Sequence, residues 1–250
     1  MRFSQRNPKL KTVILVTSIG NPSPEYDFTR HSVGHFMIDK YIERHDDEIK
    51  SVRVGGYTYK YLPDPEPEPE PKPEPEPEVA KRGELKSDSQ HVPKKRKKSK
   101  KQKKHTPMFF HKLDKGYMNL SGKPLTKLWN DFLKTMEQQN FNPVLAVLHD
   151  ELDLELGKVK VKQQNVSHKG HNGLRSIQEH MGKGYNAVPI GIGRNYPGGD
   201  ARVRDGSVVA KYVLSKFSYD EQDVLTSIGL DNLEEAFDKM KQEKYIFDKA

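Results

Sequence analysis

The chain has 250 residues, no cysteine and a formal net charge of +8, which excludes disulfides and thiolate metal sites and is compatible with a reducing compartment. No apolar stretch approaches the ~18 residues that a membrane span needs, and "MRFSQRNPKLK" lacks the apolar segment of a secretory signal, leaving a basic tail or a short mitochondrial address. The charge is unevenly placed: residues 94–104 hold nine basic residues and residues 62–78 hold seven acidic ones and a lysine, so the remainder is moderately basic, which suits an anionic partner.

In chain order, Lys11–Ser18 reads as a buried strand. His31–His45 reads as a helix with Val33, Phe36, Met37, Tyr41 and Ile42 on one face. From 62 to 105, alternating Pro and Glu followed by a lysine run predict a disordered, extended insertion within one domain spanning 1–250. Removing it leaves about 205 residues, enough for a sizeable core. Leu125, Leu128, Trp129, Phe132, Leu133 and Met136 mark a second amphipathic helix with Pro124 near its start. "VLAVL" at 144–148, ended by His149 and Asp150, has the continuous apolar pattern of a strand buried on both faces. Lys158–Gln163 alternates like a half-exposed strand. His171–Met181 reads as a helix, 187–193 as a strand, and Val208–Leu214 and Tyr219–Lys239 as closing helices. The alternation predicts one three-layer α/β domain, a twisted sheet with helices on both faces.

Ligands of such sheets bind beyond the carboxyl ends of parallel strands. Two strands here end in polar clusters. One leads through "GNPSPEYDFTRHSVGH" to His31, and the other ends in His149-Asp150. If these strands are neighbours, His31 and Asp150 meet at one rim as the pair that general-base catalysis needs. With ten histidines in the chain, any one alone is more often structural: His35, a turn into its helix, fits that, and His149 fits a strand-end hydrogen-bond partner. "HDELDLELG" invites a metal at Asp150, Glu151 and Asp153, but 150 and 151 point to opposite sides of a strand. Asn21, Asn119 and Asn172 sit in turn-like contexts where Asn is common; converging on one cleft, they would place a carbonyl and stabilise an oxyanion. No serine or cysteine nucleophile motif and no phosphate loop is present, and "GIGRNYPGG" lacks dinucleotide spacing. Direct attack by water is therefore the expected chemistry.

Six pieces in order, "IGNPSPEYDFTRHSVGH", "YMNLSGKPL", "VLHDELDLELGKVKVK", "GHNGLRSIQEH", "IGIGR" and "YVLSKFS", resemble the bacterial-type peptidyl-tRNA hydrolases over most of the chain outside the insertion. The resemblance implies a mixed, mostly parallel sheet and hydrolysis of the ester joining a peptide to the 3′-terminal ribose of tRNA, without metal or cofactor. It implies His31 as base, oriented by Asp150. It places Asn21 and Tyr26 near the tRNA 3′ end, Asn119 on the peptide, Asn172 on the water or oxyanion, and Lys162 in the tRNA phosphate region. It implies a monomer with peptidyl-tRNA as partner and no membrane, in cytoplasm or mitochondrion.

The chain also departs from that pattern. Ser18 and Ser23 replace glycines of the first motif. "QQNVSHKG" replaces a glycine-rich loop, where Val166 resists positive φ. Val188 and Pro189 stand where an arginine of the phosphate site is usual. The lysine run at 94–104 is a candidate replacement for that charge. These departures keep a second reading open, an RNA-binding splicing or ribosome-associated protein on the same fold with reduced or lost activity. An aminopeptidase or phosphorylase on a similar fold is a third.

Overall fold

The sheet is built by alternation. In β1 (Lys11–Ile19), Ile14 and Val16 enter one core while Val13 and Leu15 enter the other, so the strand is buried on both faces. The structure, a computed structural model, describes residues 7, 9–63, 106–195 and 205–242. All of them belong to one compact unit, residues 1–64 and 105–250.

After β1 come a 3-10 turn (Arg30–Ser32), α1 (Val33–Arg44) and a hairpin of β2 (Lys50–Val54) and β3 (Tyr57–Leu62). Then follow β4 (Met108–Leu113), a 3-10 turn (Met118–Leu120), α2 (Gly122–Gln138), β5 (Phe141–Glu151), α3 (Asn172–Met181), β6 (Asn186–Gly191), α4 (Gly206–Leu214), α5 (Tyr219–Val224), a π-helical turn (Leu225–Gly229) and α6 (Leu230–Lys241). Sheet order is β2-β3-β4-β1-β5-β6. The pairs β4–β1, β1–β5 and β5–β6 are parallel, and β2–β3 and β3–β4 are antiparallel. The sheet is thus mixed and mostly parallel. One face packs on α1, α4 and α6 through Met37, Ile38, Val213, Leu233 and Phe237. The other packs on α2 and α3 through Leu128, Trp129, Phe132, Leu174 and Ile177.

Four expectations change. α1 begins at Val33, so His31 lies on the turn before the helix. Lys158–Gln163 forms only isolated bridges, Val159 to Ile190 and Lys162 to Ala187. The Lys160 N–H donates to the Pro189 carbonyl at 3.2 Å, but Pro189 has no N–H to return, so no continuous ladder forms. The single closing helix 219–239 is broken by the π turn, where Gly229 packs against Gly157 and Asn232 Nδ2 donates to the Gly157 carbonyl at 3.0 Å. Leu62, taken as the first residue of the insertion, closes β3; the rest of the predicted disordered segment, apart from Pro63, lies outside the described residues. No helix among the described residues is long and apolar enough to cross a membrane.

At Gly122, α2 lies close against α3. A Cβ there would run into the Ser176 carbonyl oxygen and lie 2.6 Å from the His180 ring. Gly122→Ala is therefore expected to lower stability by about 2 kcal/mol, read as a lower midpoint of denaturant unfolding with an unchanged m-value.

Candidate active site

β1 and β5 are adjacent and parallel, with Ser18 opposite Leu148. Their carboxyl ends therefore emerge together, and His31 Nδ1 reaches Asp150 Oδ1 at 2.8 Å. The turn that carries His31 is held from both sides. The Ser32 hydroxyl accepts the Asn21 N–H at 3.1 Å. Arg30, stacked on Tyr212 and Phe217, donates to both Glu221 carboxylate oxygens at 2.6 and 2.7 Å and to the Lys216 carbonyl at 2.7 Å. A planar guanidinium suits this sandwiched, forked geometry. The segment before His31 is thereby stitched to the α4–α5 connection.

A second histidine converges on the same carboxylate. His171 Nε2 lies 2.9 Å from Asp150 Oδ1, and its ring centre is 5.0 Å from that of His31. His171 is also the N-cap of α3, its Nδ1 accepting the Leu174 N–H at 3.3 Å. That bond puts the lone pair on Nδ1 and the proton on Nε2, so both ring nitrogens of His171 are engaged. His31 differs. Nδ1–H faces Asp150, and Nε2 has no partner among the described residues. His31 is thus the imidazole with a nitrogen available to take a proton. The trio His31, Asp150 and His171 is compact enough to hold a metal ion. Coordination through His171 Nε2 would require moving its proton to Nδ1, against the Leu174 N–H, so the cap opposes a metal there.

Electrostatics follow the geometry. Burial alone would raise the Asp150 pKa; the electrostatic attraction of the two histidine rings and their hydrogen bonds outweigh it and hold Asp150 well below the usual carboxylate range. Burial would lower the His31 pKa, but the Asp150 charge and hydrogen bond outweigh burial and keep it above the ordinary 6.5. His149, pushed down to about 3 by burial and then by His171, stays uncharged, its ring bonded to the Asp150 backbone carbonyl at 2.8 Å. His35 is a buried partner of the Ser18 hydroxyl at 2.7 Å.

His31, His149, Asp150 and His171 line a cavity of about 590 Å³. Asn21, Asn119 and Asn172 all face it. Asn21 is half committed already, since its Oδ1 accepts the Met118 N–H at 2.9 Å. Lys162 also lines the cavity, with its ammonium 3.1 Å from Glu151 Oε2. Tyr26 does not line it; it packs edge-on against Tyr117 at 6.2 Å. Sequence reasoning missed His171 and Arg30. Both stand inside quoted motifs, GHNG and TRH, and the signal for His171 was its place at the start of a helix, where a side-chain acceptor is needed.

The family model for peptidyl-tRNA hydrolase matches residues 78–249. The chain belongs to the peptidyl-tRNA hydrolase family. A "Probable peptidyl-tRNA hydrolase" of Schizosaccharomyces pombe is 43% identical over 114 residues, 45% of this chain and 52% of that protein. In that alignment the chain spans about half of the relative's length. The "Peptidyl-tRNA hydrolase" of Saccharomyces cerevisiae is 30% identical over 216 residues, 85% of this chain and 88% of that protein. Among solved structures, peptidyl-tRNA hydrolase from Acinetobacter baumannii covers 95% of this chain and 98% of its own at 20% identity, with a TM-score of 0.49.

The carboxylate is what holds the His31 pKa up. An NMR titration of the His31 ring should give a midpoint above 6.5 in the wild type and below it in Asp150→Asn, where burial acts unopposed. An unmoved midpoint in the variant would show that Asp150 does not set the charge of His31.

Proposed function

We propose that this chain hydrolyses the ester between a peptide and the 3′-terminal ribose of tRNA, using water activated by His31. The observation that carries the reading is the His31–Asp150 contact, 2.8 Å long, with the far nitrogen of His31 unpartnered among the described residues and three asparagines on the same cavity. His31 Nε2 takes a proton from water as the oxygen attacks the ester carbonyl. Asp150 fixes the ring tautomer and stabilises the imidazolium that forms. The proton then passes to the departing ribose oxygen, and free peptide and tRNA leave.

The carboxamides divide the remaining work. Asn172, on the first turn of α3, and Asn119, on the turn before α2, offer N–H donors to the developing oxyanion and to the peptide. The Asn21 oxygen is occupied, so its NH₂ group is what remains for the 3′ end. Tyr26 and Lys162 serve the tRNA side, at the rim and at a phosphate. The scheme uses residues of one copy, and we take the protein to act as a monomer in the cytosol or the mitochondrion. His171 acts as a positioning residue, keeping Asp150 ionised and aimed.

The test is release of tRNA from N-acetyl-aminoacyl-tRNA by the purified chain with EDTA present. The wild type should turn over, and His31→Ala should lose roughly 10²- to 10⁴-fold or more in kcat. A folded wild type that binds tRNA but never releases product would move the protein to the RNA-binding reading. In His171→Phe, Asp150 is left to His31 alone. The acid limb of kcat/KM should therefore move to higher pH, a shift that simple loss of packing would not produce.

A further inference from the structure

Among the described residues, three Lys and Arg side chains line the cavity, and two already face acids. Lys162 lies 3.1 Å from Glu151, and Arg194 is 2.6 Å from Asp153. The third, Lys169, is exposed and has no carboxylate partner among the described residues. Its backbone is unusual. Lys169 has φ +47 and is followed by Gly170 at φ +86. A side chain makes the left-handed conformation unfavourable, and glycine adopts it freely. The loop geometry is nonetheless fixed: the Lys169 N–H donates to Ser167 Oγ at 3.3 Å, the Gly170 N–H to His168 Nδ1 at 3.0 Å, and the His171 N–H to the His168 carbonyl at 2.8 Å. Local backbone needs therefore favour glycine at 169, and the chain has a cation there, two residues before His171 and its Asp150 contact. β6 (Asn186–Gly191) brings no cation of its own to this side of the site.

We propose that Lys169 is a substrate-positioning residue that contacts a backbone phosphate of the tRNA 3′ end. This rests on the reading of His31 as the base acting on peptidyl-tRNA. The ribose that carries the ester is joined to the preceding nucleotide by a phosphodiester. An ester seated at His31 brings that anion to the cavity edge, where Lys169 is, among the described residues lining the cavity, the cation with no acid beside it.

The experiment compares wild type, Lys169→Gly, Lys169→Gln and Lys169→Arg on N-acetyl-aminoacyl-tRNA and on the same acyl group esterified to adenosine, which has no phosphate. On the tRNA ester at low salt, Gly and Gln should lower kcat/KM about threefold to fivefold, mainly through KM, and Arg should retain it. The loss should fade at high salt, with the salt slope falling by about 0.7 to 0.9. On the adenosine ester all four should be equal. Lys169→Gly should melt no lower than wild type, since it relieves the left-handed side chain. Equal activity of all four on the tRNA ester, or the same loss on both esters, overturns the proposal. If the wild type cleaves neither ester, the hydrolase reading fails instead. Affinity for uncharged tRNA then decides on Lys169, and equal affinity of wild type and Lys169→Gly overturns it.

Discussion

Everything at the site depends on one carboxylate oxygen. Asp150 Oδ1 lies within hydrogen-bond distance of both His31 and His171, and it does so only because β1 and β5 run parallel side by side. Parallel neighbours deliver two loops to one pole of the sheet, which is why an α/β layer can collect catalytic groups from distant positions. The two histidines approach the same oxygen but have different freedom. His171 is bound at both nitrogens, through the carboxylate and the helix cap. His31 is bound at one. The asymmetry leaves His31 the histidine with a ring nitrogen open to the cavity, which is the ground for proposing it as the base.

Much of this was legible beforehand. The strand at 144–148, the α2 stripe from Leu125 to Met136 and the meeting of His31 with Asp150 follow from apolar runs and strand-end polarity. What escaped had local causes. The β2–β3 hairpin went unread, although Gly55-Gly56 separates two alternating runs in the manner of a hairpin. The strand expected at Lys158–Gln163 fails at Pro189, a residue of the partner strand that periodicity in 158–163 cannot reveal. His171 escaped because its role needs two contacts at once, one inside its own helix and one across to β5. Arg30 escaped because its partners, Ser215, Lys216 and Glu221, lie about 185 to 191 positions away.

Topology also constrains the insertion. β3 ends at Leu62 opposite Met108 of β4, and Met108 lies opposite Ile14 of β1. The site grows from the other end of β1, beyond Ile19, which faces Leu113. At about 3.3 Å per residue, Ile14 and Ile19 are roughly 17 Å apart along the strand. The chain therefore leaves and rejoins the sheet at the pole away from His31. Lys169 stands at the near pole, two residues from a histidine that touches Asp150.

Two departures from the family pattern show how side chains can be admitted there. At 18, inside β1, the serine is fully buried, and its hydroxyl has a partner in His35 at 2.7 Å. A buried hydroxyl without such a partner would be unfavourable, so the substitution is tolerated by compensation within the core. At 169 the unfavourable feature is backbone conformation, and no packing contact could offset it for an exposed lysine. A buried departure balanced by a neighbour needs no function to explain it. An exposed departure that opposes its own backbone preference, beside the cavity that holds His31 and Asp150, is better explained by what its charge meets outside the chain.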